Sequence, residues 1–156
     1  METFLRLEFK GEANGAAPIG GVSVVRYSRG LHHGVIPAIY ADSFSEPPWP
    51  ADWDQFPEFD PAGVFLAAAG ETGTPVGYVV SFRRKDYGYI SVAAVKPEWR
   101  NRGVASALIK AAIVYLRSLG LAVVKIDVDE KKPRALNLYR KLGFLDVSAQ
   151  QDCGGG

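Results

Sequence analysis

The sequence has few of the residues that build disulfide frameworks and metal centres. Its 156 residues include one cysteine, Cys153, and two histidines, His32 and His33. A single cysteine excludes an intrachain disulfide, and its position in a glycine-rich stretch makes it a poor candidate for a nucleophile. The histidines are adjacent and have no cysteine or carboxylate at the usual ligand spacing, so we expect no metal site.

Long apolar runs and a large excess of one charge are also missing. No stretch approaches the roughly 20 apolar residues that span a bilayer, and residues 1–9 are too charged for a signal peptide. We therefore expect a cytoplasmic protein with no membrane partner. A formal net charge of +1, with dispersed basic residues, argues against nucleic-acid binding.

What the chain does have is enough apolar surface for a core. Hydrophobic residues make up 47% of the sequence and aromatic residues 12%, which suits one domain of this length. We predict a single domain over residues 1–156. Within it, residues 1–20 form an extension or edge strand, and residues 150–156 form a flexible tail.

One segment joins an apolar strand to an amphipathic helix through a basic turn. Residues 89–95 are rich in β-branched and aromatic side chains, and Pro97 ends this strand because it has no amide donor. Apolar residues then recur every three or four positions until Gly120. This spacing predicts a helix from about Arg102 to Leu119.

The turn before this helix has the properties of a phosphate site. The first N–H groups of a helix have no partner within the helix, so an anion gains hydrogen bonds and the helix dipole together. The small residues Gly103 and Ala105 leave the backbone accessible, and Arg100 and Arg102 add cationic side chains. A glycine here can also serve backbone geometry alone, and the turn matches neither the dinucleotide-binding nor the P-loop pattern.

A second strand and a second helix follow. Residues 121–128 are largely apolar, which gives strand, helix and strand over about forty residues with a right-handed crossover. Phosphate would then lie at the carboxyl end of the first strand, where open α/β sheets bind ligands. Pro133 can open a short helix that carries Tyr139 on its apolar face and ends at Gly143.

Two motifs resemble those of the GCN5-related N-acetyltransferases, the GNAT superfamily. The segment from Arg100 to Ala105 fits the Q/R-x-x-G-x-G/A pyrophosphate loop of that family, and the segment from Ala135 to Phe144 resembles its A-x-x-L-Y-x-K-x-G-F motif. The resemblance is specific from about Gly88 to Phe144. It implies a mixed α/β fold, with a mixed central sheet, a parallel β-α-β core and flanking helices.

The resemblance also implies an activity, namely acetyl transfer from acetyl-CoA directly to an amine in a ternary complex. The acceptor would be a small molecule or a protein N-terminus. Tyr139 matches the tyrosine that faces the thioester sulfur, where a protonated phenol can donate its proton to the departing thiolate. The acetyl-CoA site would consist of the backbone of Ala93 and Val95 for the pantetheine arm and, for the pyrophosphate, Arg100, Arg102, Gly103, Val104 and Ala105.

One departure from the family pattern leaves alternatives open. The residue seven positions before Tyr139 is often asparagine in the family and is Lys132 here. A non-catalytic acyl-CoA-binding or regulatory module of the same fold is therefore the alternative function, and a nucleotide-binding α/β protein is a third. The general base is undetermined, because several carboxylates are chemically able: Glu46, Asp52, Asp54 and Glu58.

The earlier part of the chain matches the family only in its order of elements. We predict strands at residues 22–27, 64–69 and 75–82 and a helix at about 34–44. The aromatic segment 46–60 either covers the sheet or lines an acceptor pocket. Residues 3–9 alternate well enough to fill an edge of the sheet, in the same chain or in a partner of a homodimer.

Overall fold

Seven strands form one mixed sheet in the computed structural model, which describes residues 4–12, 20–43, 53–57 and 59–146. Their spatial order is β2-β3-β4-β5-β6-β1-β7, and every neighbouring pair is antiparallel except β5 and β6. The mixed sheet and its single parallel pair confirm the predicted fold class. The strands are β1 (Phe4–Phe9), β2 (Val22–Arg26), β3 (Val64–Ala69), β4 (Thr74–Arg83), β5 (Gly88–Val95), β6 (Val124–Asp129) and β7 (Leu145–Asp146).

Four α-helices lie in the described part of the chain: α1 (Arg29–His32), α2 (Val35–Ser43), α3 (Val104–Ser118) and α4 (Pro133–Leu142). None of them combines the length and the apolar character needed to cross a bilayer. Within the same described ranges, no three His, Cys, Asp or Glu side chains come together in a way that would hold a metal ion.

The sheet carries a separate apolar cluster on each face. Helix α3 packs on β3, β4 and β5, and its fully buried Leu108 and Leu116 meet side chains such as Ile90 and Val79. Helix α2 covers β4 and β5 on the other face, where buried residues include Ile36 and Tyr78. Burying one such side chain stabilises the fold by about 1.5–3 kcal/mol, so both helices hold β5 firmly in place.

Helix α3 begins two residues later than its apolar spacing predicts. Gly103 has a φ of 85°, which is left-handed and incompatible with an α-helix, so the first helical residue is Val104. The other end lies close to the predicted one, because the helix ends at Ser118 and Gly120 again adopts a φ of 85°. The helix is thus set by glycines at both ends.

The N-terminal strand lies inside the sheet, not at its edge. Strand β1 pairs with β6 over its whole length, from Phe4 opposite Asp129 to Phe9 opposite Val124. Its other side pairs with the two residues of β7, which form the sheet edge. The strand belongs to the same chain as β6, so no partner chain is needed to fill this position. The predicted tail at residues 150–156 lies outside the described residues.

The aromatic segment is described only in part. Trp53 is buried and packs edge-on against Tyr27 and Phe59, with ring centroids 5.5 and 4.8 Å away. These contacts belong to the cluster beneath α2, so Trp53 and Phe59 of the aromatic segment cover the sheet. Phe56 is exposed. The following predicted features lie outside what the structure describes: Glu46, Asp52, Glu58, Cys153 and the side chain of Asp54.

Candidate active site

Strands β5 and β6 pair only at their beginnings and then separate. Their parallel register stops at Ile90 and Ile126, although β5 continues to Val95 and β6 to Asp129. Ser91, the next residue of β5, is left unmatched by a bulge in the pairing with β4. A wedge therefore opens between two strands that would otherwise continue the sheet.

This wedge is a cleft with a volume of about 500 Å³. Its walls come from the ends of β5 and β6, the turn before α3, the first turn of α3, and one face of α4. The guanidinium of Arg102 lies 4.8 Å from the centroid of the Trp99 ring, and Arg102 is not part of the wall. All the other residues predicted for the site line the cleft: Ala93, Val95, Arg100, Gly103, Val104, Ala105 and Tyr139.

The backbone of β5 directs polar groups into the cleft at alternate residues. The N–H of Lys96 donates to the carbonyl of Val76 on β4 at 2.8 Å, so Lys96 faces β4. Successive residues of a strand direct their N–H and C=O groups to opposite edges, and Ala93 and Val95 therefore face the side that β6 has left. The carbonyl of Val95 accepts a hydrogen bond from Nε of Arg100 at 2.9 Å.

The turn before α3 presents backbone N–H groups at one end of the cleft. Asn101 and Gly103 both have left-handed φ angles, 64° and 85°. The N–H of Ala107 is bonded to the carbonyl of Gly103 at 3.0 Å, which makes it the first N–H with an acceptor one full turn back. The N–H groups of residues 104–106 precede it and have no acceptor within the helix. Such a cradle of N–H groups attracts anions.

Tyr139 belongs to the wall that α4 forms. Pro133 begins this helix, and Gly143 ends it with a φ of 108°, both as the sequence predicts. The Tyr139 ring packs edge-on against Phe144, with centroids 6.0 Å apart. Burial raises the pKa of the Tyr139 phenol to about 12, because the phenolate would lose its hydration. The side chain therefore keeps its proton at neutral pH and can serve as an acid.

The cleft also contains two carboxylates that we did not single out from the sequence. Asp127 and Asp129 line it, together with Lys132, the residue that departs from the family pattern. The carboxylate of Asp129 accepts a 2.9 Å hydrogen bond from the N–H of Lys131, which orders the turn into α4. The sequence does contain a pattern that could have identified these two aspartates. Along β6, buried apolar residues alternate with Lys125, Asp127 and Asp129. This spacing places both aspartates on one face of the strand.

The fold and the cleft define a class of α/β protein in which two parallel strands part beside a helix N-terminus. Such a site suits an elongated ligand with a phosphate group at one end. Residues 33–144 match the Acetyltransferase (GNAT) family, and the chain therefore belongs to that family. The resemblance drawn from the two sequence motifs is thereby confirmed.

Relatives and solved structures agree with this membership. Mycothiol acetyltransferase from Thermobispora bispora is 36% identical over 122 residues, which cover 69% of this chain and 41% of that protein. The chain spans less than half the length of the curated relatives it matches. A GCN5-related N-acetyltransferase from Sphaerobacter thermophilus superposes with a TM-score of 0.77 at 23% identity, over 92% of this chain and 48% of that one. The aminoglycoside N-acetyltransferase AAC(6')-Iy, solved in complex with CoA, superposes with a TM-score of 0.69 at 20% identity, over 84% of this chain and 93% of that one.

Proposed function

We propose that this chain is an acetyl-CoA-dependent N-acetyltransferase that transfers the acetyl group directly to an amine acceptor in a ternary complex. One observation carries the proposal. A single cleft combines N–H groups at the start of α3 that have no acceptor within the helix, the edge of β5 that no longer pairs with β6, and the protonated phenol of Tyr139.

The cleft offers groups that fit each part of acetyl-CoA. The N–H groups around Gly103 and Ala105 suit the pyrophosphate, and both residues are small enough to admit it. The backbone of Ala93 and Val95 suits the amides of the pantetheine arm, which would add to β5 as an extra strand does. The thioester would then lie near Ser91, where β5 and β6 part.

Transfer requires a neutral amine and a good leaving group. The lone pair of the amine nitrogen forms the new C–N bond as the C–S bond breaks, and the surplus proton of the amine passes to solvent. Tyr139 donates its phenolic proton to the departing sulfur and regains one from solvent. The same burial that raises the pKa of Tyr139 would leave a CoA thiolate beside it poorly hydrated. Proton transfer from Tyr139 neutralises the negative charge on the sulfur as it forms.

The acceptor is an amine of a small molecule or of a protein N-terminus. At pH 7.4, deprotonating an alkylamine of pKa 10.4 costs about 4 kcal/mol, whereas an α-amino group needs less than about 1 kcal/mol. The amine acetylated by the mycothiol acetyltransferases is the first to test, because relatives carry that name. A cytoplasmic location, a homodimer, and the absence of metal and nucleic-acid partners stay predictions of this proposal.

Two measurements test the proposal. Acetyl-CoA should raise the melting temperature of the chain more than ATP or NAD does at the same concentration, and an amine should cause thiol release from acetyl-CoA. Stabilisation by acetyl-CoA without thiol release across small-molecule and peptide amines would favour the non-catalytic module. A preference for ATP or NAD would contradict the acyl-CoA assignment and support a nucleotide-binding protein.

A further inference from the structure

On the basis of the proposed function, we infer that Asp127 accepts a hydrogen bond from the amino group of the acceptor and that Arg6, on the N-terminal strand, positions it. Asp127 touches the substrate in this assignment. Arg6 is a positioning residue that acts through Asp127. The N-terminal strand thus completes the acceptor half of the site as well as the sheet.

Asp127 lies where the cleft begins. It directly follows Ile126, the last residue of β6 that pairs with β5, and it lines the cleft. Because Ile126 and Val128 belong to the cluster beneath α3, the Asp127 side chain projects from the other face of the sheet. Tyr139 packs against the α3-side cluster. The Asp127 carboxylate and the Tyr139 hydroxyl therefore lie on opposite faces of the sheet, at the place where β5 and β6 separate. The attacking amine and the departing sulfur must likewise lie on opposite sides of the thioester carbon.

Three hydrogen bonds from two neighbouring strands hold the Asp127 carboxylate. Arg6 stands directly opposite Asp127 in the pairing of β1 with β6. Its Nε donates to Oδ1 at 2.9 Å and its Nη2 donates to Oδ2 at 3.0 Å. The hydroxyl of Tyr89, on β5, donates to Oδ2 at 2.9 Å. The oxygen positions are thus fixed before any acceptor arrives.

One acceptor position of the carboxylate stays open among the described residues. A carboxylate offers about four lone-pair positions. Oδ2 receives two donors and Oδ1 receives one, so Oδ1 can accept a further N–H. Asp129, the other carboxylate of the cleft wall, lies two residues farther from the point of separation and is bonded to the N–H of Lys131. Asp127 is therefore the better placed of the two.

The ion pair with Arg6 also explains how a carboxylate can help a neutral amine. An isolated carboxylate would stabilise the ammonium form, which has no lone pair for attack. The guanidinium of Arg6 balances this charge, and the open lone pair of Oδ1 remains available as a hydrogen-bond acceptor. The side chains of Arg6 and Asp127 are 31% and 26% exposed, so solvent and substrate can reach the pair.

Asp127→Ala and Arg6→Gln should have different kinetic signatures. The probe is the amine, chosen from glucosamine, alanine amide and a short peptide with a free N-terminus, that gives the fastest thiol release with the native protein. Asp127→Ala should raise KM for that amine at least about tenfold, because it removes the acceptor of the N–H. Arg6→Gln should lower kcat by about tenfold without raising KM, because the carboxylate loses its paired guanidinium, keeps only the weaker charge interaction with Arg84, and now favours the ammonium form. Neither variant should change the Kd for acetyl-CoA.

A matched control lies on the same two strands. Glu8 and Lys125 form the next ion pair between β1 and β6, 3.3 Å apart, and neither residue lines the cleft. Glu8→Gln should lower the melting temperature about as much as Arg6→Gln does, with unchanged KM and kcat. Wild-type KM in Asp127→Ala, or parallel changes of KM and kcat in all three variants, would overturn the inference.

The outcome for the native protein separates this inference from the proposed function. If the native chain binds acetyl-CoA and acetylates an amine but Asp127→Ala behaves like it, only the role of Asp127 fails. If the native chain neither binds acetyl-CoA nor releases thiol, the proposed function fails and the acceptor role of Asp127 fails with it.

Discussion

The side chain of Arg100 reaches back to the strand that precedes it, where its Nε donates a 2.9 Å hydrogen bond to the carbonyl of Val95. This carbonyl lies on the edge of β5 that faces the cleft. The arginine thereby ties the phosphate-suited turn to the strand edge suited to the pantetheine arm. We predicted a phosphate contact for Arg100 from its charge, whereas its bond to the backbone becomes visible only in the structure.

Removing this tie should weaken acetyl-CoA binding. Arg100→Met keeps the aliphatic stem but leaves the Val95 carbonyl without its charged donor, and hydrogen bonds of this kind contribute about 1.5–3 kcal/mol. We expect the Kd for acetyl-CoA to rise about tenfold or more, measured by isothermal titration calorimetry. Arg117→Met is the control, because it removes a comparable bond, to the carbonyl of Gly11, away from the cleft. Equal Kd values for both variants would show that the tie is dispensable.

A side chain at Gly103 should abolish the response to acetyl-CoA. The φ of 85° strains any L residue by about 1–2 kcal/mol, and a carboxylate there would repel the pyrophosphate. In Gly103→Asp, acetyl-CoA should therefore no longer raise the melting temperature. Gly120→Asp introduces the same residue at the same φ at the far end of α3, and it should keep the full response. A normal response in Gly103→Asp would mean that the turn does not hold the pyrophosphate.

Local chemistry explains which parts of the fold were predictable. Pro133 and Gly143 set the ends of α4 through their own backbone geometry, and both ends were predicted correctly. Strand β5 was also predicted to within one residue, because its β-branched residues form a continuous run. The start of α3 was wrong by two residues, since apolar spacing carries no information on the φ of Gly103.

Long-range pairing explains what the sequence could not show. Arg6 and Asp127 are 121 positions apart, and only the pairing of β1 with β6 brings them together. The separation of β5 from β6 after Ile90 has no local signal either, because both strands continue beyond it in extended conformation. The motifs thus led to most of the cleft residues that we assign to acetyl-CoA, whereas the proposed roles of Arg6 and Asp127 depend on topology.

Tyr139→Phe should slow turnover without affecting the binding of acetyl-CoA. The substitution keeps the ring contact with Phe144 and removes only the proton, and a general acid typically contributes about 10²–10⁴-fold in rate. We expect kcat to fall within that range, measured by thiol release. Tyr115→Phe is a suitable control, because Tyr115 also has a pKa raised to about 12 by burial but bonds to Asp60 outside the cleft. Unchanged kcat in Tyr139→Phe would disprove the acid role.

The stability of the fold should decrease in mild acid because of His32. This side chain is 8% exposed, and its Nδ1 accepts a 2.9 Å hydrogen bond from the N–H of Ser28, so it is bound as the neutral form. Burial lowers its pKa below the ordinary 6.5. As the pH falls below 6.5, the unfolded chain therefore takes up a proton before the folded chain does, and the free energy of unfolding decreases.

A non-titrating residue at this position should remove that part of the pH dependence. His32→Asn keeps an oxygen that can accept the Ser28 N–H but cannot be protonated in this range. Between about pH 7.5 and 5.5, the melting temperature of the native protein should fall more steeply than that of His32→Asn. Parallel curves for the native protein and His32→Asn would show that the proton taken up on unfolding belongs to another group.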